Sequence, residues 1–191
     1  TVTARGWIQF MPASAPAPAV RERKESLWRP IFPIPQDCPD PPKAHRYRRF
    51  PDQQWIYRDA KGRLLGYITR YTKSDGGKEI LPLSWCENVE TGNREWRWMA
   101  LPEPRPLYGL DRLAARPEAN VLVVEGEKCA DVGTEHLLDW VTVSWPGGCG
   151  AIGKIDWGPL AGREVVTWAD CDAKREPLTT TGSIIISTSN A

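Results

Sequence analysis

The chain of 191 residues reads as an α/β protein, α+β over its whole length, in which a small antiparallel sheet precedes a parallel sheet with helices. Three observations point there. Residues 121–124 (VLVV) and 165–168 (VVTW) are short, β-branched and nearly continuous in apolar side chains, as strands covered on both faces of a parallel sheet are. Between them a helix-length segment, 127–138, precedes another strand-like run, 140–145, and strand, helix, strand implies a right-handed parallel crossover. Ahead of them, residues 55–99 hold β-rich runs separated by short turns containing Gly, Asn and Asp, the spacing of hairpins.

Residues 1–44 form the first segment. PASAPAPAV and RPIFPIPQDCPDPPK concentrate many of the 18 prolines, each of which fixes φ and removes a donor, so a Pro-rich extended linker is expected. Within it Arg21, Arg23 and Lys24 alternate with Glu22 and Glu25, the pattern of a solvated spacer. Next comes KAHRYRRF, in which Lys43, Arg46, Arg48 and Arg49 interleave with Tyr47 and Phe50. Cations hold phosphates and aromatic faces stack bases, a mixture suited to single-stranded nucleic acid. The alternative is a basic strand whose two aromatic rings face the core.

Residues 45–116 make the antiparallel unit. The runs 55–59 and 63–71 flank Ala60, Lys61 and Gly62; a turn at 74–77 leads to 79–85, and 88–93 leads to 94–99. That is a twisted sheet of about four strands. Trp85, Trp96 and Trp98 fall within it, chiefly as packing groups. Pro102, Pro104 and Pro106 then hold the chain extended, and 110–115 reads as a brief helix ending before Pro117.

Residues 117–175 make the parallel unit. Glu125 ends its first strand, and Asp170 and Asp172 follow its last. Open parallel sheets bind ligands at the carboxyl ends of their strands, and side chains two apart on an extended segment share a face. Neighbouring strands would therefore gather three carboxylates that suit Mg²⁺ or Mn²⁺, hard cations taking one or two carboxylates plus substrate phosphates. Gly126 permits a sharp turn after Glu125, and Lys128, in the first helical turn, can reach a phosphate. Gly148, Gly150 and Gly153 match G-x-G-x-x-G, and with Lys154 they approach a phosphate loop. Both motifs need a long helix at once, however, and Gly158 and Pro159 interrupt too soon, while Ile155 stands where Ser or Thr is required. What remains is an anion-friendly rim of Gly147, Gly148 and Lys154. His136, with no second ligand near it in sequence, reads as a surface residue.

The pair EG at 125–126 and D-x-D at 170–172, each after a strand and in this order, resembles the Toprim domain of DnaG-type primases, topoisomerases and some nucleases. IYRDAKGRLLGYITR, KEILPLSW and RPLYGLDRL resemble the amino-terminal subdomain of the primase polymerase core, so the resemblance covers residues 45–172, with phage and mobile-element primases as the nearest kind. It implies that Glu125 acts as acid/base or metal ligand and that Asp170 and Asp172 hold Mg²⁺. It also implies nucleoside triphosphates and single-stranded DNA as substrates and a replicative helicase as partner. Tyr108 and Arg112 would lie close to the acidic site, chiefly in packing roles. DnaG-type primases usually carry a zinc-binding domain; no C-x-x-C pair occurs here, so template recognition falls to another region or chain. Residues 176–191 depart from the Toprim pattern, being Thr/Ser-rich with only 184–186 strand-like.

Composition narrows the field. Lys plus Arg total 25 and Asp plus Glu 24, so bulk attraction to nucleic acid is weak and any binding face is local. Five dispersed cysteines suggest reduced thiols in a cytoplasm, and there is neither a membrane-length apolar run nor a signal-peptide pattern. The leading expectation is a primase-like nucleotidyltransferase. A Toprim nuclease, which uses similar carboxylates, and a catalytically silent nucleic-acid-binding or partner-docking module stay open beside it.

Overall fold

The computed structural model describes residues 27–168. Five antiparallel strands come first: β1 (Trp28–Pro30), β2 (Gln53–Arg58), β3 (Leu64–Thr72), β4 (Lys78–Asn88) and β5 (Arg94–Arg97). The order is β1-β4-β3-β2, with β5 also paired to β4. Local chemistry closes each hairpin. Asp59 Oδ1 accepts from the amides of Lys61 and Arg63, Asp75 Oδ1 from Gly77, and Asn88 Oδ1 from Glu90 and Thr91. These are Asx turns, in which the side chain bonds its own backbone two residues on and favours the reversal locally. Period two then sorts the faces: Trp55 and Tyr57 are buried while Gln54 and Ile56, alternating with them, are exposed.

Residues 27–44 were expected to be unpacked linker, yet they lie along this sheet. β1 pairs with β4, the Ile31 amide donates to the Trp85 carbonyl and that of Ile34 to Leu64, each at 2.8 Å, and Ile34 is buried. Trp96 Nε1 donates to the Pro39 carbonyl at 2.8 Å. Proline lacks a donor but keeps its acceptor, and the interspersed Ile31 and Ile34 supply the amides, so a proline-rich segment can line a sheet while forming little ladder of its own.

The second unit contains α1 (Leu110–Ala115), β6 (Asn120–Val124), α2 (Glu127–His136), β7 (Trp140–Val143) and β8 (Val165–Trp168). The three strands are parallel in the order β7-β6-β8, so the apolar runs 121–124 and 165–168 are neighbours, in a register that sets Val124 opposite Trp168. The glycine-rich stretch after β7 forms a short 3₁₀ helix, Cys149–Lys154, and not the long α-helix a phosphate loop demands. His136 is exposed, as expected.

The continuous apolar run of β6 is explained by packing on both of its faces. Val121 and Val123 join Leu107, Leu113, Val141, Val143, Ile155 and Leu160 in one core. Leu122 and Val124 point the other way, into a core with Ala130 of α2, Tyr108, and Trp55, Tyr57, Leu65 and Ile68 of the antiparallel sheet. The two sheets thus share a core through β6 and α2. The connector is bound as well: the Arg105 amide donates to the Lys154 carbonyl at 2.7 Å, and that of Tyr108 to Ser144 at 2.8 Å. Among the described residues, no helix is long and apolar enough to cross a membrane.

Candidate active-site cleft

Where β6 ends, Gly126 takes φ 84° and ψ 149° and turns the chain into α2. That turn leaves the half-buried Glu125 at the strand end and the exposed Lys128 in the first helical turn. Both line a cleft of about 630 Å³ between the parallel unit and the antiparallel sheet. Its second wall is the turn after β7. Gly147 and Gly148 have φ of 99° and 66°, values that side chains disfavour, and Trp145 Nε1 locks the turn by donating to the Gly148 carbonyl at 2.9 Å. A Cβ on Gly148 would stand 3.5 Å from Glu125 Oε1, and one on Gly147 only 3.0 Å from Arg105 Nη1. Gly147 therefore leaves room for the Arg105 guanidinium, whereas a side chain at Gly148 would meet Glu125 at ordinary contact distance and is disfavoured there by φ.

Arg70, Lys78 and Arg105 line the same cleft from the antiparallel sheet and the connector. With Lys128 they give the cleft that Glu125 lines four cationic side chains. This arrangement favours an anionic ligand, and an accompanying hard cation would have the Glu125 carboxylate to bind.

Beneath the cleft, α2 is stapled to the antiparallel sheet by two carboxylates one turn apart. Glu127 accepts from Tyr57 Oη at 2.7 Å, and Asp131 accepts from Tyr108 Oη at 2.7 Å and Trp55 Nε1 at 2.9 Å. Burial pushes the Glu127 carboxyl above the usual range, and burial together with the Glu127 charge raises Tyr57 well above the usual phenol. Burial, then the bond to Asp131, pushes Tyr108 up to about 12. The Arg112 guanidinium lies over the Tyr108 ring, 4.7 Å from its centroid. Tyr108 and Arg112 thus hold the connector and α1 against the parallel unit, the packing role expected of them.

Of the residues singled out from sequence, Glu125, Lys128, Gly147 and Gly148 meet in the cleft. Lys154 does not line it; its ammonium pairs with Glu103 at 2.8 Å, because the 3₁₀ helix carries it toward the connector. Asp170 and Asp172 lie outside the described residues, and among the described residues no group of three potential metal ligands occurs. Lys43, Arg46, Arg48 and Arg49 are exposed on a loop away from the cleft, where Arg48 pairs with Glu79 at 2.5 Å. Tyr47 and Phe50 are 74% and 71% exposed, so the alternative in which they face the core does not hold.

Sequence reading missed Arg70, Lys78 and Arg105. Each looks like an ordinary surface cation, and only strand pairing and the two-sheet packing bring them to the cleft that Glu125 lines. A weak signal existed in Arg105, a cation set between Pro104 and Pro106 on a fixed path. In comparison with known proteins, no family model matches the chain, and no curated protein and no solved structure matches it either.

Proposed function

We propose that this chain is a primase-like nucleotidyltransferase module of the Toprim type, acting on nucleoside triphosphates along a single-stranded DNA template. The observation that carries the reading is the placement of Glu125 at the carboxyl end of the central parallel strand, in a cleft also lined by Arg70, Lys78, Arg105 and Lys128. A nucleotide triphosphate with its metal needs that combination of one carboxylate and several cations.

Glu125, with Asp170 and Asp172, would hold Mg²⁺ or Mn²⁺, which when bound neutralises phosphate charge and orients the transferring group. The rest falls to the chain itself. Lys128 and Arg105 bind phosphate oxygens; the Gly147–Gly148 backbone admits a phosphate close to the strand ends; Arg70 and Lys78 hold the polyanion from the opposite wall. In this reading the setting is the cytoplasm, beside a replicative helicase.

Calorimetric titration with ATP and Mg²⁺ tests the site. Glu125→Gln should abolish the Mg²⁺-dependent part of binding and spare the metal-free part, whereas Arg105→Ala should weaken both about tenfold, as loss of a charge-assisted bond does. Unchanged Mg²⁺-dependent affinity in Glu125→Gln contradicts the assignment.

A further inference from the structure

We infer that Tyr47 and Phe50 are base-stacking posts for a single-stranded nucleic acid, with Arg46 and Arg49 on its phosphates and Arg48 as a structural tether. The inference rests on the nucleic-acid reading of the cleft but concerns a different surface.

The loop is built to hold these side chains outward. His45 and Arg49 exchange backbone hydrogen bonds at 2.7 and 2.9 Å, and His45 Nδ1 accepts from the amides of Tyr47 and Arg48, both at 3.2 Å. The His45 ring packs edge-on to Trp98, with centroids 4.8 Å apart, which anchors the loop to the sheet. Arg48 ties the same loop to β4 through Glu79. Arg49 takes φ 63°, uncommon for a side-chain-bearing residue, and the bridge to His45 holds it there.

A folded chain normally hides large rings, yet Tyr47 and Phe50 stand more exposed than any other described aromatic. Lys43, Arg46 and Arg49 are exposed beside them, and the Arg46 guanidinium lies 5.4 Å from the Tyr47 centroid. Rings give sequence-tolerant stacking and the cations give phosphate contacts, so charge and shape together fit an unpaired strand. Tyr71 and Glu79 face this loop, while Arg70, Lys78 and Ile80 line the cleft, so loop and cleft occupy opposite faces of the β3–β4 hairpin. A strand passing from one to the other crosses the hairpin tip, where Lys73 and Asp75 are exposed and Lys78 leads into the cleft.

The test is fluorescence anisotropy of the full chain with a labelled oligothymidylate over a range of salt. Tyr47→Leu and Phe50→Leu should each weaken binding at least about fivefold, with the salt dependence unchanged. Arg46→Ala and Arg49→Ala should each lower the slope of log affinity against log salt by about 0.7. Circular dichroism guards against misfolding, and a duplex of the same length is the control. Wild-type affinity in both ring variants, or an equal loss on duplex, overturns the inference. If no oligonucleotide binds while Mg²⁺–ATP still binds the cleft, the loop assignment fails and the cleft reading stands.

Discussion

Glu127 shows how much one buried carboxylate decides. Its folded-state pKa lies above the ordinary value because burial disfavours the charge more than the Tyr57 hydroxyl compensates. The folded chain therefore keeps this proton to higher pH than the unfolded chain. The group's contribution is most favourable below the ordinary carboxylate pKa and is lost as pH rises through the folded value. Glu127→Gln retains an acceptor for Tyr57 without the charge, so it should flatten that decline and raise Tm more at about pH 8 than at about pH 4. Equal shifts at both would contradict the argument. Tyr57→Phe removes the donor and leaves the carboxylate unsatisfied, at a cost of about 1–3 kcal/mol in denaturant unfolding. Nothing in the sequence marks this pair: an acid in the first turn of a helix is ordinary, and its partner lies 70 residues away.

At the scale of elements, helix α2 meets strand β7 through Gly133. A Cβ there would lie 2.6, 2.7 and 3.0 Å from the Oγ1, Cγ2 and Cβ of Thr142. Alanine would gain about 1 kcal/mol of helix propensity, but overpacking of this kind costs about 1–3 kcal/mol, and Thr142 is buried and cannot swing clear. Gly133→Ala should therefore destabilise by about 1 kcal/mol in urea unfolding, a net effect below the full overpacking cost. A stabilised variant would show that α2 can shift on the sheet. The elements most legible in sequence were those with local causes: α1 lies between 110 and 115 as read, and the Asx turns at Asp59, Asp75 and Asn88 bound the hairpins. β1 was not legible, because its ladder depends on the Trp85–Asn88 end of a strand far along the chain.

Across the whole molecule, the site arises from how two sheets share a core. Glu125, Lys128 and the Gly147–Gly148 turn could be proposed from residue order alone, since strand ends and glycine turns are local features. The opposite wall could not, because Arg70 and Lys78 face the cleft only through the β3–β4 register and the packing of Trp55 and Ile68 on α2 and β6. The same geometry makes the inter-sheet core a condition of the cleft's shape. The most direct measurement is incorporation of labelled nucleotides on single-stranded DNA with Mg²⁺ or Mn²⁺, resolved by length, for the wild type, Glu125→Ala and Asp170→Asn. Template-dependent products in the wild type that vanish in both variants are the expected result; products that survive either substitution, or a template that shortens in place of being copied, would contradict the nucleotidyltransferase assignment.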